Sequence, residues 1–490
     1  MNQSVTQPVG SSRTRSLIIG CLAALAGLMA GLDIGVISGA LDFVAKEFHA
    51  STVAQEWIVS SMMAGAAAGS MCAGWMSHHI GRKRTLLVGA VVFVVGSLEC
   101  ALAWSVPSMI VGRAVMGLAI GVAAFTAPLY LSEIASETAR GAMISTYQLM
   151  ITVGIFLAFM SNTFFSYSGN WRGMFAVAAI PGVLFLIGAL FLPFSPRWLM
   201  MKGRRSEALE VLANLRDSRN DARREIQSIS DQLQQKQKGW ALLANRNFRR
   251  SILLGMGLQI MQQLAGVNVV MYYAPRIFAL AGYVGPAQLW CTAMVGLVNM
   301  LATFVAIGLV DKWGRKPILY SGFLIMAVGM GSLGLLLNAL PLGPGEQIIA
   351  VFMLLIYISG FSMSAGPLIW VLCSEVQPLQ GRDLGISIST LTNWIANMII
   401  GATFLSLLQW IGNGPTFWMF AAFNLAFVFV TWRFIPETRD MSLEGIEKRL
   451  MSGLPLREIG QPSRKEAQAS TPAPVTEQSC AVILRALWFL

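Results

Sequence analysis

The sequence predicts an all-α membrane protein with twelve transmembrane helices in two pseudo-symmetric six-helix bundles, and three observations predict it. Apolar residues make up 55% of the 490 residues and charged residues only 12%, which is too apolar for a water-soluble chain. The apolar residues are collected in twelve long runs. The pattern Gly-Arg-Lys occurs twice, at residues 81–83 and 314–316, each time in a short polar gap between runs. The repeat indicates that one membrane module is present twice.

The twelve runs are the predicted spans, numbered 1 to 12 in chain order. A helix needs about 20 apolar residues to cross a bilayer core of roughly 30 Å. The runs begin near Leu17, Trp57, Leu86, Met109, Ala142, Met174, Ile252, Trp290, Ile318, Ala350, Leu384 and Phe417. None of them alternates polar with apolar residues, as the strands of a membrane β-barrel do. Helical spans are therefore predicted throughout.

The cations lie in alternate gaps, and this pattern predicts the topology. The gaps after even-numbered spans are strongly basic, and the other gaps are almost free of Lys and Arg. Positive loops stay on the cytoplasmic side, so both termini are predicted there, in a bacterial plasma (inner) membrane. The net charge of +11 is explained by these loops and by anionic membrane lipid, and we expect no nucleic-acid partner.

Five segments follow from this pattern. They are an N-terminal segment (1–16), a first six-helix bundle (17–193), a cytoplasmic linker with short helices (194–250), a second bundle (251–435) and a largely disordered tail (436–490). The linker has amphipathic patterns near residues 208–215 and 226–233. The last ten residues are apolar but too few to span a membrane.

Several chemistries are not indicated by the sequence. Six cysteines are scattered singly, which predicts neither a disulfide framework nor a metal site. A phosphate-binding loop of the type that hydrolyses ATP is absent from the sequence. We therefore expect a carrier that is not an enzyme, needs no cofactor and acts as a monomer.

Two charges inside spans are the candidate proton-coupling site. Asp33 is the only charged residue of span 1 within 17–41, and Arg113 is the only one of span 4 within 109–131. With a rise of 1.5 Å per residue, Asp33 lies roughly 24 Å from one face and Arg113 roughly 6 Å from the other, which is the same level of the core. Charges at this depth are functional or paired.

Two interpretations of that pair remain open. In the first it is a structural ion pair that orders the bundle. In the second it is a proton site, because burial and a nearby guanidinium act in opposite directions on a carboxylate pKa. Movement of Arg113 relative to Asp33 would then load and release a proton.

Polar side chains in the later spans predict a ligand site. Gln259, Gln262 and Gln263 follow one face of span 7, but Asn268 leaves that face unless Gly266 marks a break. Broken spans are a recurrent way to build a transporter site. Amides suit a polyol because each both donates and accepts hydrogen bonds. The complete predicted sugar site comprises Gln148, Gln262, Gln263, Asn268, Asn299, Gly366, Trp370, Asn393 and Trp394.

Each of these residues also has a simpler explanation. A membrane Trp is often an interface anchor, and an intramembrane amide often joins two helices. The number of amides and the lack of a charged partner on these spans favour a neutral hydroxylated ligand. Gly117 and Gly121 form a G-x-x-x-G pair on span 4, which predicts close helix packing.

Ser-Glu followed by a nearby Arg occurs near the ends of spans 4 and 10, once in each half, and predicts a cytoplasmic gate. Glu133 and Glu375 lie near helix C-termini, where the macrodipole disfavours an anion, so each needs a cation. The predicted gating set is Arg82, Glu133, Arg140, Tyr272, Tyr273, Asp311, Arg315, Glu375 and Arg382. The alternative is ordinary positive-inside charge.

The chain resembles the sugar porters of the major facilitator superfamily over about residues 17–460. The resemblance rests on the two Gly-Arg-Lys loops, PLYLSE at 128–133, SPRWL at 195–199, the glutamine pair at 262–263 and PET at 436–438. GLDIGVISGAL, VMYYAPRIF, SAGPLIWVLCSE and TNWIANMIIGATF further resemble the bacterial galactose and arabinose proton symporters.

This resemblance implies roles for residues already singled out. It implies that Asp33 carries the proton with Arg113 as its partner, and that the amides and Trp370 surround the sugar. Retention of an acid at Asp33 favours symport, and Asn299 resembles the galactose type more than the arabinose type. Two departures are His78, where the superfamily often has an acid, and Phe194, which replaces the acid of the usual PESPR segment.

The predicted function is import of a monosaccharide with protons by alternating access, with D-galactose as the first candidate and L-arabinose as the next. The alternatives are a passive sugar facilitator and a transporter-like sugar sensor. Medium alkalinisation on adding sugar separates symport from facilitation. A sensor would usually carry a long signalling extension, and this tail is modest.

Overall fold

The computed structural model describes residues 10–135, 140–216, 218–234, 239–339, 341–378, 381–438, 443–456 and 459. These residues form helices joined by short turns. The helices are α1 (Gly10–Glu47), α2 (Thr52–His79), α3 (Arg82–Ala101), α4 (Val106–Ile134), α5 (Arg140–Ser166), α6 (Trp171–Phe191), α7 (Pro196–Met201), α8 (Arg205–Leu215), α9 (Arg219–Gln234), α10 (Arg246–Leu264), α11 (Val267–Leu280), α12 (Pro286–Trp313), α13 (Arg315–Asn338), α14 (Pro344–Met363), α15 (Ala365–Glu375), α16 (Arg382–Gly401), α17 (Phe404–Ile411), α18 (Asn413–Phe434) and α19 (Leu443–Met451). A 3₁₀ helix at Gly239–Ala244 precedes α10.

The predicted multi-span membrane architecture is confirmed. Within the described residues, eleven helical stretches are long and apolar enough to cross a membrane, and two of them are the pairs α10–α11 and α14–α15. The remaining predicted span is α2, which is 28 residues long and rich in Ser and Gly. It packs along α4 inside the first half, which accounts for its more polar composition.

The contacts between halves follow a twofold pattern. α2 packs against α16, and α5 packs against α12. In span numbers these are contacts of span 2 with span 11 and of span 5 with span 8. Spans 2 and 8 hold equivalent places in the two halves, as do spans 5 and 11. Exchanging the halves therefore converts one contact into the other. The repeat seen in the sequence is therefore also a repeat of packing.

Glycines allow helix backbones to touch inside the first half. A Cβ added to Gly117 would lie 1.9 Å from the carbonyl oxygen of Met62, and one added to Gly121 would lie 2.1 Å from that of Ala66. The predicted packing role of this pair is confirmed. The same kind of contact joins α1 to α5, where a Cβ on Gly31 would lie 2.0 Å from the carbonyl oxygen of Ile151.

Span 7 is broken at the predicted residue. α10 ends at Leu264, and Gly266 has φ +94°, a left-handed conformation that favours glycine. The carbonyl of Ala265, left without a helical partner, accepts the Tyr357 hydroxyl at 2.8 Å and the Asn424 amide at 3.1 Å. Neighbouring helices therefore satisfy the break, as membrane burial requires.

Two further breaks were not predicted. Span 10 divides into α14 and α15 at Ser364, whose φ and ψ are −129° and −91°. Span 11 is followed by the short helix α17 after a turn at Ala402 and Thr403. Three broken or turned segments therefore lie in the second half.

The bundle has two distinguishable ends. The basic end carries the Gly-Arg-Lys turns that start α3 and α13, and we call the opposite one the far end. Four side-chain hydrogen bonds join the halves within the described part of the chain, and they lie at the far end. They connect Glu56 with Ser406 twice, Gln409 with Thr52 and Trp290 with Tyr167.

The linker helices α8 and α9 confirm the amphipathic pattern read from the sequence. Ala208, Leu212 and Ile226 from these helices are buried with Trp198 and Leu199 of α7. After α18, the helix α19 packs on the second half, where the Asn247 amide donates to the carbonyl of Met451 at 2.8 Å. The sequence did not predict this helix. The rest of the predicted disordered tail, from residue 460 on, lies outside the described residues, as do residues 1–9.

Candidate functional site: a buried ion pair and an amide network

Asp33 and Arg113 meet in an ion pair inside the first half. Arg113 Nη1 donates to Asp33 Oδ1, and both side chains are fully buried. Arg113 Nε also approaches the carbonyl oxygen of Ile58 at 3.4 Å. The depth comparison made from sequence therefore located the right partner.

This ion pair is incompletely satisfied. Among the described residues, Asp33 Oδ2 and Arg113 Nη2 are buried without a hydrogen-bond partner. Most buried polar atoms in proteins are bonded, because an unbonded one costs about 1–3 kcal/mol or more when charged. One carboxylate oxygen is therefore left able to accept a proton.

An amide network surrounds the break in span 7. The Asn393 amide of α16 donates to Gln259 at 2.7 Å and to Gln262 at 3.0 Å. Gln262 in turn donates to the carbonyls of Ala365 and Gly366, at 3.0 and 3.1 Å. The structure thus brings together three residues of the predicted sugar site from α10, α15 and α16.

Two other predicted amides form separate contacts. Asn268, after the break, donates to Gln263 before it at 2.5 Å. Asn299 on α12 accepts the Ser362 hydroxyl of α14 at 2.6 Å. Both contacts lie in the second half. In each case the hydrogen bond to a neighbouring side chain orients the amide.

The two tryptophans differ in their surroundings. Trp394 on α16 is half-buried, and its indole N–H is buried without a hydrogen-bond partner among the described residues. Trp370 on α15 is 38% exposed. Gln148 on α5 is half-buried, and the structure does not connect it to the amide network. Its part in a sugar site stays a prediction.

Tyr272 and Tyr273 connect α11 to α16. The Tyr272 hydroxyl accepts the Asn397 amide at 3.2 Å, and the Tyr273 hydroxyl donates to the carbonyl of Gly401 at 2.8 Å. α11 also packs against α1, the helix that carries Asp33. The second half therefore contacts, through α11, the helix that carries the carboxylate of the ion pair.

At the basic end, both predicted carboxylates have an arginine partner. Arg82 bonds to Glu133 at 2.7 Å, and Arg315 bonds to Glu375 at 3.2 Å. Each pair lies within one half, and neither joins the two halves. Ser195 supplements the first pair by donating to Glu133 at 2.5 Å, and Thr438 supplements the second at 2.6 Å.

The structure gives less information on Arg140, Asp311 and Arg382 of the gating set. The side chains of Arg140 and Asp311 lie outside the described residues. Arg382 is the first residue of α16 and is partly exposed. Their predicted gating role stays a prediction.

The two departures from the family pattern have structural accounts. The carbonyl of His78 accepts the indole N–H of Trp198 at 3.0 Å. The backbone of His78, and not its side chain, therefore binds this end of α2 to α7. Phe194 stacks on Trp198 and has Lys83, Arg84 and Arg204 over its ring, at 5.4 to 5.8 Å. These cation–π contacts replace the ion pairs that an acidic side chain at this position would form with the same cations.

Sequence reasoning missed Glu56. It is 3% exposed near the start of α2, and it hydrogen-bonds across to the second half. The signal was available, because Glu56 is the only Asp, Glu, Lys or Arg of α2. Its position close to a predicted span end made it resemble an ordinary surface charge.

Metal chemistry is not indicated. Among the described residues, no cluster of His, Cys, Asp or Glu could hold a metal ion. Cys21, Cys72, Cys100, Cys291 and Cys373 are free thiols, and Cys480 lies outside the described residues.

Paired helix bundles joined at one end, with an ion pair in one half and amides at broken helices in the other, define a multi-pass membrane carrier. Residues 19–450 match the family described as "Sugar (and other) transporter". The chain belongs to this sugar transporter family, within the major facilitator superfamily.

Individual relatives agree with this assignment. The galactose-proton symporter of Escherichia coli K12 is 57% identical over 92% of this chain and 97% of its own length. The arabinose-proton symporter of the same strain is 53% identical over 92% of this chain and 96% of its own length. An inward-open structure of the E. coli xylose transporter XylE has a TM-score of 0.76 at 30% identity and covers 89% of this chain and 99% of that one. These relatives are transporters and not enzymes.

Proposed function

We propose that this protein imports a monosaccharide together with protons by alternating access in a bacterial inner membrane. D-Galactose is the first candidate substrate and L-arabinose the next. The observation that carries the proposal is the fully buried ion pair of Asp33 and Arg113.

The proton role follows from the chemistry of that pair. A buried carboxylate is stabilised as an anion by the guanidinium, and the anion loses this stabilisation when Arg113 moves away. The unbonded Asp33 Oδ2 offers a place for the proton. One proton crossing about 100 mV supplies about 2.3 kcal/mol, enough for roughly fifty-fold accumulation of sugar.

The sugar role follows from the amide network. Gln262, Asn393 and Gln263 present donors and acceptors from broken or neighbouring helices, with no charged side chain in their hydrogen bonds. Neutral hydroxyl groups are the ligands that such amides can bind by exchanging one hydrogen bond for another. Trp394, with its unbonded indole N–H, supplies an apolar ring face and a donor together.

The particular sugar is proposed from two observations. The relatives with 57% and 53% identity are named for galactose and arabinose. Asn299 is the amide that resembles the galactose type, and it is held by Ser362 at 2.6 Å. We therefore place D-galactose before L-arabinose.

The orientation proposed from charge places the basic end and both termini in the cytoplasm. With the halves joined at the far end, the structure then corresponds to a state closed to the outside. The ion pairs Arg82–Glu133 and Arg315–Glu375 brace each half at the cytoplasmic end in this state. We propose that they rearrange when that end closes.

The test is sugar uptake by membrane vesicles with the inside pH and potential controlled. Wild-type protein should accumulate labelled D-galactose against a gradient and alkalinise a weakly buffered medium when sugar is added to deenergised cells. Asp33→Asn should lose accumulation but keep equilibrium exchange. The matched control is Asp42→Asn, which removes another carboxylate from the same helix and should keep both activities.

Accumulation by Asp33→Asn at the wild-type level would contradict the proton role. Uptake without accumulation by the wild-type protein would favour a facilitator, and the absence of any uptake would contradict the transport proposal. Competition by unlabelled pentoses and hexoses, including C4 epimers, would decide the sugar.

A further inference from the structure

Glu56 binds the start of a helix in the opposite half. Its two carboxylate oxygens accept the Ser406 backbone N–H at 2.7 Å and the Ser406 hydroxyl at 2.8 Å. Ser406 is the third residue of α17, and its N–H is one of those that a helix leaves unbonded. Glu56 lies on α2, 350 residues earlier in the chain. The carboxylate therefore caps a helix that belongs to the other half.

The cap is not redundant. Thr403 stands at the N-cap position of α17 but makes no capping hydrogen bond. Its hydroxyl instead donates back to Ile399 at 2.8 Å. An N-cap side chain normally accepts from the second or third N–H of its helix. In this protein a residue of the opposite half performs that function.

The negative charge of Glu56 has little other compensation. It is 3% exposed, and among the described residues none of the lysines or arginines lies within ion-pair distance of it. The positive end of the α17 dipole is therefore the main partner of the carboxylate. Separation of the halves would remove that partner.

The turn between α16 and α17 also contacts α11, the second helix of the broken span 7. Tyr273 donates to the carbonyl of Gly401, at the end of α16, and its ring lies 5.2 Å from that of Phe404, the first residue of α17. Val59 and Met63 of α2 pack near Gly401 from the other side. The turn between α16 and α17 is thus held by α11 from its own half and by α2 from the other half.

We infer that the Glu56 cap on α17 is the latch that holds the far end closed, and that it must release for the far end to open. The inference deepens the proposed function, because a latch matters only if the halves alternate. It assigns a positioning role to Glu56, which acts through α17 and does not contact sugar.

The test measures the opening of the far end directly, without sugar. Nitroxide labels are placed at Trp104 and Val284, which are 76% and 79% exposed in far-end loops of opposite halves. The native cysteines are replaced by serine, and label distances are measured in lipid nanodiscs. In Glu56→Ala the ratio of long to short distances should rise about tenfold or more, as expected from losing a charge-assisted hydrogen bond.

Glu47→Ala is the matched control. Glu47 is also a far-end carboxylate, but its partners Trp171 and Arg172 belong to its own half, at 2.6 and 2.8 Å. Its removal should leave the distance ratio within about twofold of the parent. Glu56→Gln keeps one acceptor oxygen without the charge and should give a smaller rise than Glu56→Ala.

An unchanged distance distribution in Glu56→Ala would overturn the latch. If that variant does not fold, an unchanged distribution in Glu56→Gln would overturn it equally. The outcome is separable from the proposed function. Opening in Glu56→Ala without sugar uptake by the wild-type protein would keep the latch and reject the transport proposal, and the reverse pattern would reject the latch alone.

Discussion

The amide of Gln262 donates to the carbonyl of Gly366 at 3.1 Å, and this hydrogen bond joins two broken helices. Gln262 lies one turn before the break at Gly266, and Gly366 lies just after the break at Ser364. A side chain beside one break therefore contacts the first turn of the helix that follows the other break. A ligand that displaced Gln262 would act on both breaks at once.

Gln262→Glu should impair sugar recognition. The carboxylate cannot donate to Ala365 and Gly366, and it places a charge beside their carbonyl oxygens. We expect the KM for D-galactose to rise about tenfold or more, because buried acceptors lose their donor. Initial rates of uptake in vesicles measure it.

The control for this change is Gln288→Glu at the far end, where the side-chain amide of Gln288 donates to the carbonyl of Tyr283 at 2.7 Å. It should keep the wild-type KM. Equal values of KM for Gln262→Glu and the parent would remove Gln262 from the sugar site.

Gly117→Ala should destabilise the first half. Its new methyl group would lie 1.9 Å from the carbonyl oxygen of Met62, so α2 and α4 would have to separate. Overpacking of this kind costs about 1–3 kcal/mol or more. The melting temperature of the purified protein in detergent should fall.

Gly257→Ala provides the comparison. A Cβ on Gly257 of α10 meets no heavy atom within 4 Å, so this variant should melt at or slightly above the wild-type temperature. Equal melting of the two variants would contradict the close backbone contact.

Loss of an arginine at the basic end should cost stability in proportion to the burial of its pair. The Arg82–Glu133 side chains are 8% and 4% exposed, and those of Arg315–Glu375 are 15% and 17% exposed. Removing one partner of a buried pair costs about 3–5 kcal/mol. Arg82→Gln should therefore lower the melting temperature more than Arg315→Gln does.

Arg204→Gln completes that series as an exposed control. Its partner is Glu207, and both side chains are more than two-fifths exposed. Because Arg204 also lies over the Phe194 ring at 5.8 Å, we expect a small decrease in melting temperature, below that of Arg315→Gln. The order of the three melting temperatures is the result to compare, and a reversed order would show that burial does not decide the strength of these pairs.

Phe194→Leu should lower the melting temperature, because it removes the ring beneath Lys83, Arg84 and Arg204. Phe194→Glu should keep or raise it, since a carboxylate would then lie among three cations. Phe164→Leu is the control, as Phe164 is 74% exposed and belongs to the far-end part of α5. Destabilisation by Phe194→Glu equal to that by Phe194→Leu would contradict the cation–π account.

Features determined by helix periodicity and charge were predictable from the sequence. Asp33 and Arg113 could be matched because a constant rise per residue fixes depth in a bilayer. Gly266 could be identified because Asn268 did not fit the face of Gln262. The sequence showed that Glu133 and Glu375 required cations, but it left Arg82, Arg140, Arg315 and Arg382 all open as partners.

Features determined by contacts distant in the chain were not predictable. The break at Ser364 was missed although Pro367, which cannot donate to the carbonyl of Met363, lies three residues later. The cap by Glu56 depends on a backbone N–H in the other half, which leaves no trace in local periodicity. The helix at Leu443–Met451 packs on α10 through Asn247, and its short polar sequence resembles a solvated tail.

The glycine contact between α1 and α5 has a mechanical consequence. Gly31 brings the backbone of α1 directly onto the carbonyl of Ile151, and Gly154 brings the backbone of α5 close to the carbonyl of Leu28. No flexible side chain separates the two backbones at these glycines, so the helices are in direct backbone contact. Any shift of the helix that carries Asp33 is transmitted without slack to the helix that carries Gln148, and the proposed proton and sugar groups of the first half move as one piece.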